Sequence, residues 1–350
     1  MTEPYDAFLL VSFGGPEGPD DVLPFLENVL RGRNVPRERM LAVAEHYQHF
    51  GGVSPINAQN RALLAAVREE FSRHDLRLPV YWGNRNWQPL LPDTLRQMER
   101  DGVRRAIAFF TSAFSSYSGC RQYRENIAAA QEQVGPGAPQ VDKLRMFYNH
   151  PGFIEPMIER TAAALAQLPA ERRSTARLLF SAHSIPTAMA DNCRYETQLR
   201  EASRLVAEGV HHREWQLVFQ SRSGPPTQPW LEPDVGDAIE ALAQQGTTRD
   251  VVVVPIGFIS DHMEVLFDLD EEAQQRAAGL GINLVRAGTV GVHPRFVSMI
   301  RELVQERMSQ SQVRPALGEF GASHDVCPVD CCRYEPRRPE NTSPATASPS

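Results

Sequence analysis

The strongest constraint on the fold is an alternation of short apolar runs with longer stretches of helical period. In the first half the β-branched or aromatic runs are AFLLVSF (7 to 13), LPVYWG (78 to 83) and RAIAFFTSAF (105 to 114), spaced by helical sequence such as AQNRALLAAVREEFSRH from Ala58. In the second half they are RLLFSAHS (177 to 184), QLVFQSRS (216 to 223), DVVVVPIGF (250 to 258) and INLVRAG (282 to 288). Parallel strands need long crossovers, usually helices, so this order predicts repeated βαβ units and an α/β fold with parallel sheets. GFIEPMIERTAAALAQL (152 to 168) reads as a helical bridge between two halves built on one plan, with no residue-level repeat between them.

A chain of 350 residues accommodates two such domains. The expected division is a first domain over 5–150, a second over 151–310, a cysteine-bearing extension over 311–333 and a tail over 334–350. The tail, ending EPRRPENTSPATASPS, is rich in Pro, Ser and Thr without apolar period, which predicts disorder.

The formal net charge of -7 gives no general attraction to nucleic acid, and 42% apolar content with a mean hydropathy of -0.37 is that of a water-soluble protein. The apolar run of MTEPYDAFLLVSFGG is too short, and too quickly followed by glycines, for a secretory signal or a membrane span. A cytoplasmic monomer is expected. Five cysteines, in a reducing compartment, are expected to be free, catalytic or metal-bound rather than paired.

In open parallel α/β sheets, ligands bind beyond the carboxyl ends of the strands. The residues delivered there by the second half are Ala182-His183-Ser184-Ile185-Pro186, Gln220-Ser221-Arg222-Ser223-Gly224-Pro225-Pro226 and Ser260-Asp261-His262-Met263-Glu264. A lone histidine such as His183 is ordinarily structural; facing Glu264 it could share a divalent cation or exchange protons. Glu264, Asp268 and Glu272 recur every four residues, which lines them up on one face of a helix or a wider π-type turn. A solvated acidic face is the bland alternative. No lysine or arginine follows until Arg276, so bound cations or protons are the expected compensation, and His262 is given a structural role.

The first half offers other chemistry. Arg31 and Arg33, Tyr47 to Asn57 and Tyr117 to Tyr123 combine arginines and hydroxyls suited to carboxylates with aromatics suited to a flat apolar body. Gly14-Gly15-Pro16-Glu17-Gly18 is a tight turn or a weak phosphate loop. Cys327, Cys331 and Cys332 form a C-x3-C-C triplet, one ligand short of a four-thiolate site for zinc or iron-sulfur, with Cys120 or Cys193 as the fourth. Adjacent cysteines do not easily pair with each other.

In order along the chain, LLVSFGGPEG, FGGVSPIN, LLFSAHSIP, LVFQSRSGPPTQPWLEPDV and PIGFISDHMEVLFDLD resemble ferrochelatases, which insert ferrous iron into a porphyrin; the likeness runs from about Tyr5 to about Arg333. The SFGGPEG start, the terminal cysteine cluster and the lack of a membrane-binding extension are most similar to the actinobacterial forms, which carry a 2Fe-2S cluster and act on coproporphyrin III. The resemblance implies two Rossmann-like, chelatase-type domains, each a parallel sheet flanked by helices, with a porphyrin cleft between them. It implies His183 and Glu264 at the metal insertion site, and Asp268 and Glu272 as an acidic path for iron or protons. It further implies Ser54, Tyr123 and Arg31 at the porphyrin propionates, and Cys120, Cys327, Cys331 and Cys332 as the cluster ligands. Transient contact with other heme-pathway enzymes is also expected. Phe13 stands where many relatives from other bacteria have a tyrosine able to coordinate the product's iron. Protoporphyrin IX as substrate, a non-catalytic heme or porphyrin carrier, and a chelatase of other specificity are the competing readings.

Overall fold

The computed structural model describes residues 5–32, 35–224 and 227–334. Arg33, Pro225 and Pro226, and the expected tail beyond Tyr334, lie outside the described residues.

The first sheet holds β1 (Ala7–Ser12), β2 (Val80–Asn84), β3 (Arg105–Phe110) and β4 (Gln140–Lys143), in spatial order β2-β1-β3-β4. The second holds β5 (Arg177–His183), β6 (Trp215–Gln220), β7 (Asp250–Val254) and β8 (Asn283–Arg286), in the order β6-β5-β7-β8. Every pairing is parallel. Numbered from its own first strand, each sheet has the same order. Every residue of β1 and β7 is buried, because helices cover both faces, and both strands therefore read as continuous rather than alternating apolar runs.

The first half carries α1 (Val22–Val29), α2 (Arg37–His49), α3 (Ile56–Arg73), α4 (Leu91–Arg100) and α5 (Gln122–Val134). The predicted bridge is α6 (Pro151–Ala166), started by Pro151 and by the His150 ring, whose Nδ1 accepts from the Gly152 amide at 3.0 Å. The second half carries α7 (Thr187–Ala190), α8 (Tyr195–Gly209), α9 (Val235–Gln245), α10 (Met263–Val265), α11 (Gln274–Gly279) and α12 (Pro294–Ser309). No helix among the described residues is long and apolar enough to cross a membrane.

Two sequence expectations need correction. Two strands stop well short of their apolar runs at the carboxyl end: the run expected to 258 leaves the sheet at Val254, because Pro255 has no amide to give a ladder, and the run expected to 114 leaves at Phe110. β4 escaped detection because QVDK has no apolar run; β3 recruits it through backbone pairing from Arg105↔Gln140 to Ala108↔Lys143.

The halves are locked by α12, which packs on both α6 and α3. Arg301 on α12 pairs with Glu70 on α3 at 2.9 Å. Arg145 and Glu306, 1% and 8% exposed, form a buried pair at 2.7 Å. The same arginine donates to the Pro315 carbonyl at 2.9 Å, and Asn149 binds the carbonyls of Leu317 and Gly321 at 3.1 and 2.8 Å, so residues 315–321 are fastened to the first half without regular secondary structure.

Candidate active site

The three segments that peel away from β5, β6 and β7 meet at one edge of the second sheet. His183 is the last residue of β5 and lies in register with Gln220, the last of β6, and the Ser184 amide donates to the Gln220 carbonyl at 2.8 Å. From β7 the chain crosses Pro255 and enters α10, then widens into a π-helix over Leu266–Ala273. π-bulges concentrate at functional sites, and this one presents the predicted acids.

His183 Nε2 lies 3.7 Å from Glu264 Oε2, and the two side chains keep 34% and 46% of their surface exposed to the cleft. Nδ1 of His183 is 2.5 Å from the Ser184 carbonyl, which can only accept, so Nδ1 carries a proton and Nε2 is the atom left to bind or release one. Tyr195 donates its hydroxyl to the His183 carbonyl at 3.0 Å. Burial alone would push His183 down, but the Glu264 charge and hydrogen bond and the Ser184 carbonyl carry it up to about 9. Burial opposes ionisation of Glu264 too, yet His183 and His262 bring it down to about 2. Imidazolium and carboxylate are thus the resting forms. His262 packs edge-on against Phe258 and also comes within 3.9 Å of Glu264.

The acidic run is more relieved than the sequence suggests. Arg286, from β8, binds Asp270 at 2.5 and 2.9 Å and Asp261 at 3.2 Å, and His49 reaches Glu271 at 2.6 Å from α2. These partners were invisible locally because they come from a later strand and from the other half. Asp268 is met instead by neutral donors, the Ser221 hydroxyl and Gln220 Nε2, the latter at 3.2 Å. Burial, then the charges of Glu264 and Glu272, push it up to about 7. Burial, Asp234 and Glu271 raise Glu272, against His46 and Arg276. Glu264, Asp268 and Glu272 therefore form a graded row, ionised at the cleft and more readily protonated behind it.

Across the cleft, Tyr47 on α2 is pushed well above the usual phenol range by burial and by Glu264. His46 stacks on Phe267 at 3.9 Å, so α2 leans directly on the π-helix. Phe13 is half-buried beside Phe25, Tyr47 and Trp87. Ser54 is buried against Gly15, where an added Cβ would come within 2.8 Å of Ser54 Cβ, and its amide donates to the Pro16 carbonyl at 2.9 Å. Tyr123 is buried on Phe110 under the Arg85 guanidinium, 4.5 Å from its ring. Arg31 is exposed just past α1. Sequence reading missed Arg85, which spans Tyr123 and Phe13 and binds Asn126 at 2.6 Å. It follows β2 directly, so the rule applied to the second half would have found it in the first.

The cysteines converge at a second place. Cys120 lies in a π-turn, Tyr117–Arg121, capped by the Ser116 hydroxyl. Its thiol contacts Cys327, which that hydrogen bond, with Lys143, His324 and Arg124, holds down to about 4, while Cys120 itself is pushed up by Cys327 and by burial. Cys331 and Cys332 sulfurs are 3.6 Å apart and unbonded. Arg121 stitches the extension onto the turn through the carbonyls of Val329 and Cys331 at 3.0 and 3.2 Å. Cys193 donates to the Met189 and Ala190 carbonyls of its own turn, near enough to Cys331 and Cys332 for their charges to interact.

Two parallel sheets of one topology, with a histidine–carboxylate pair at the strand ends facing the other half, define a two-domain chelatase fold. The same fold recurs in SirB from Bacillus subtilis with Fe3+ (TM-score 0.55, 13% identity, 87% of this chain and 97% of that one) and in the sirohydrochlorin chelatase SirB of B. subtilis subspecies spizizenii in complex with cobalt (TM-score 0.51, 13% identity, 87% and 96%). The ferrochelatase family profile matches residues 5–308. A ferrochelatase of Rhodopirellula baltica is 63% identical over 96% of this chain and 95% of its own, and a coproporphyrin III ferrochelatase of Streptomyces coelicolor is 54% identical over the same shares. The chain belongs to the ferrochelatase family and is an enzyme of the lyase class, taking ferrous iron and a porphyrin as substrates.

Proposed function

We propose that the enzyme inserts ferrous iron into coproporphyrin III to give coproheme, with His183 and Glu264 at the reacting centre. The observation that carries the chemistry is the 3.7 Å pair of His183 Nε2 and Glu264 Oε2 at the strand ends; the 54% identical S. coelicolor enzyme supports the porphyrin. The five unpaired thiols suit a reducing compartment, which makes the cytoplasm the proposed place of action.

Insertion exchanges two pyrrole N–H protons for one dication. A cleft that bends the macrocycle turns the pyrrole nitrogens toward His183. The resting imidazolium must first lose its Nε2 proton, and an incoming dication beside Glu264 favours that, since it takes up the carboxylate charge that had held His183 near 9. Neutral Nε2 then accepts the two pyrrole protons in turn, releasing the first to the acidic row before it takes the second. Asp268, poised near 7, and Glu272 behind it take protons outward in exchange for entering iron. Ser54, Tyr123 and Arg31 are the proposed propionate partners, with Arg85 beside Tyr123 an added cation. Phe13 offers no oxygen, so the product's iron receives no ligand from that position.

We also infer that Cys120, Cys327, Cys331 and Cys332 hold a 2Fe-2S cluster. Cys120 touches Cys327, Cys327 also meets Cys331, and the Cys331 and Cys332 sulfurs are 3.6 Å apart, so the four thiols form one contiguous set. Cys120 is favoured over Cys193 because its thiol touches Cys327. The cluster supplies no step above. Cys331→Ser should remove visible absorption from freshly purified protein; a colourless native protein contradicts the reading. Anaerobic assays comparing coproporphyrin III with protoporphyrin IX test the substrate: equal or better turnover of protoporphyrin IX overturns the assignment, and tight porphyrin binding without metalation favours a carrier.

A further inference from the structure

Beside the four thiols stands a fifth donor that the cluster reading does not use. His324, Cys327 and Cys331 present a ring nitrogen and two sulfurs that all lie within 4.8 Å of one another. Cys331 Sγ is 4.0 Å from His324 Nε2 and 3.6 Å from Cys332 Sγ. Around one tetrahedral ion, thiolates bound at about 2.3 Å sit about 3.8 Å apart, and an imidazole nitrogen bound at about 2.0 Å sits about 3.5 Å from each sulfur. His324, Cys327 and Cys331 are therefore gathered to within about an ångström of that arrangement before any ion enters, and Cys332, next to Cys331, swings in as the fourth donor when the loop closes.

We propose that His324, Cys327, Cys331 and Cys332 form a mononuclear imidazole–thiolate site for zinc in protein that carries no cluster. The four ligands come from one short segment with the spacing H-x2-C-x3-C-C, so closing around an ion moves one loop. That loop is held at both ends without metal: Arg314 and Arg307 bind Asp325, at 3.2 and 3.8 Å, next to His324, and Arg121 binds the Val329 and Cys331 carbonyls. His324 is exposed, which gives the ion an entry path, whereas Cys332 is buried and closes the inner side. Three thiolates around a dication leave one negative charge, and Lys143 and Arg124 are close enough to act on Cys327. The site shares three thiols with the cluster and omits Cys120, so the two occupants exclude each other.

The test uses full-length protein prepared without cluster and titrated anaerobically with Co2+ as a coloured probe, then with Zn2+. One equivalent of Co2+ should give thiolate-to-cobalt charge transfer and the intense visible bands of a tetrahedral site, and one equivalent of Zn2+ should erase them. His324→Ala should weaken Zn2+ binding at least about tenfold and shift the visible bands as the nitrogen is lost. Cys120→Ser should leave Zn2+ affinity within about twofold. Wild-type protein that binds neither ion, a His324→Ala protein with unchanged affinity and bands, or a Cys120→Ser loss as large as that of Cys332→Ser overturns the proposal. A colourless protein as isolated would sink the cluster reading alone, since the zinc titration does not depend on it.

Discussion

Gln220 Nε2 donates to the Glu264 carbonyl at 3.1 Å and to Asp268 at 3.2 Å, while its backbone is in register with His183. One buried side chain thereby sets the π-helix against the end of β5, and the distance between His183 and Glu264 depends on that brace.

Replacing the proposed proton acceptor should stop chemistry before binding. His183→Ala is expected to lower anaerobic metalloporphyrin formation by about 10²–10⁴-fold, the usual worth of a positioned general base, while quenching of porphyrin fluorescence still reports binding. Normal turnover in that variant would remove His183 from the mechanism.

The His183 titration reports its partner. In the free protein its ring should change charge near pH 9; the pair's stabilisation is present in full below the unfolded histidine value and is lost as pH rises through about 9. In Glu264→Gln, burial remains and the carboxylate charge is gone, so the midpoint should fall well below that of wild type. Histidine ring signals followed by NMR decide this, and an unmoved midpoint contradicts the electrostatic account.

Asp268 links activity and stability with opposite signs. If its carboxylate must accept a proton, the rate should decline as pH falls through about 7, and Asp268→Asn should flatten that limb while lowering the rate throughout. Because folding raises this acid, the folded state holds an extra proton between the unfolded value near 3.9 and about 7, and wild-type stability drops across that window. The melting temperature of Asp268→Asn relative to wild type should therefore grow from about pH 4 to about pH 7 and then level off. A constant difference would show that the carboxyl is not raised.

The lock between halves should be costly to break on one side only. Glu306→Ala leaves Arg145 buried without its carboxylate and is expected to lose about 3–5 kcal/mol in chemical denaturation. Arg145→Met with Glu306→Leu should lose much less than the sum of the single changes. Protease sensitivity between residues 313 and 325 should rise in Glu306→Ala, since Arg314 also binds Glu306 at 3.1 Å.

The sequence made the α/β class legible because fully buried parallel strands are apolar at every position, as in DVVVV. The proposed pair was half legible: His183 ends β5, but Glu264 lies on α10, ten residues beyond the end of β7, with the other acids on the π-helix behind it. What stayed hidden depends on contacts distant in sequence. QVDK is a strand only because β3 offers it a ladder. Arg286 and His49 bind acids from 16 and 222 residues away. His324 carries no signal of its own in the sequence; the fold sets its ring beside Cys331.

The repeated strand order implies a duplicated scaffold whose copies have divided their labour. In the first sheet the last pair of the inner strand is Ser12 with Asn84; in the second, the equivalent pair is His183 with Gln220. Ser12 and Asn84 are both fully buried, Asn84 donating to the Gln88 carbonyl at 2.9 Å, whereas His183 keeps 34% of its side chain exposed, so the same register position is sealed in one copy and open in the other. An ancestor with two alike halves would have had no such asymmetry, and neither edge would have been marked as the open one.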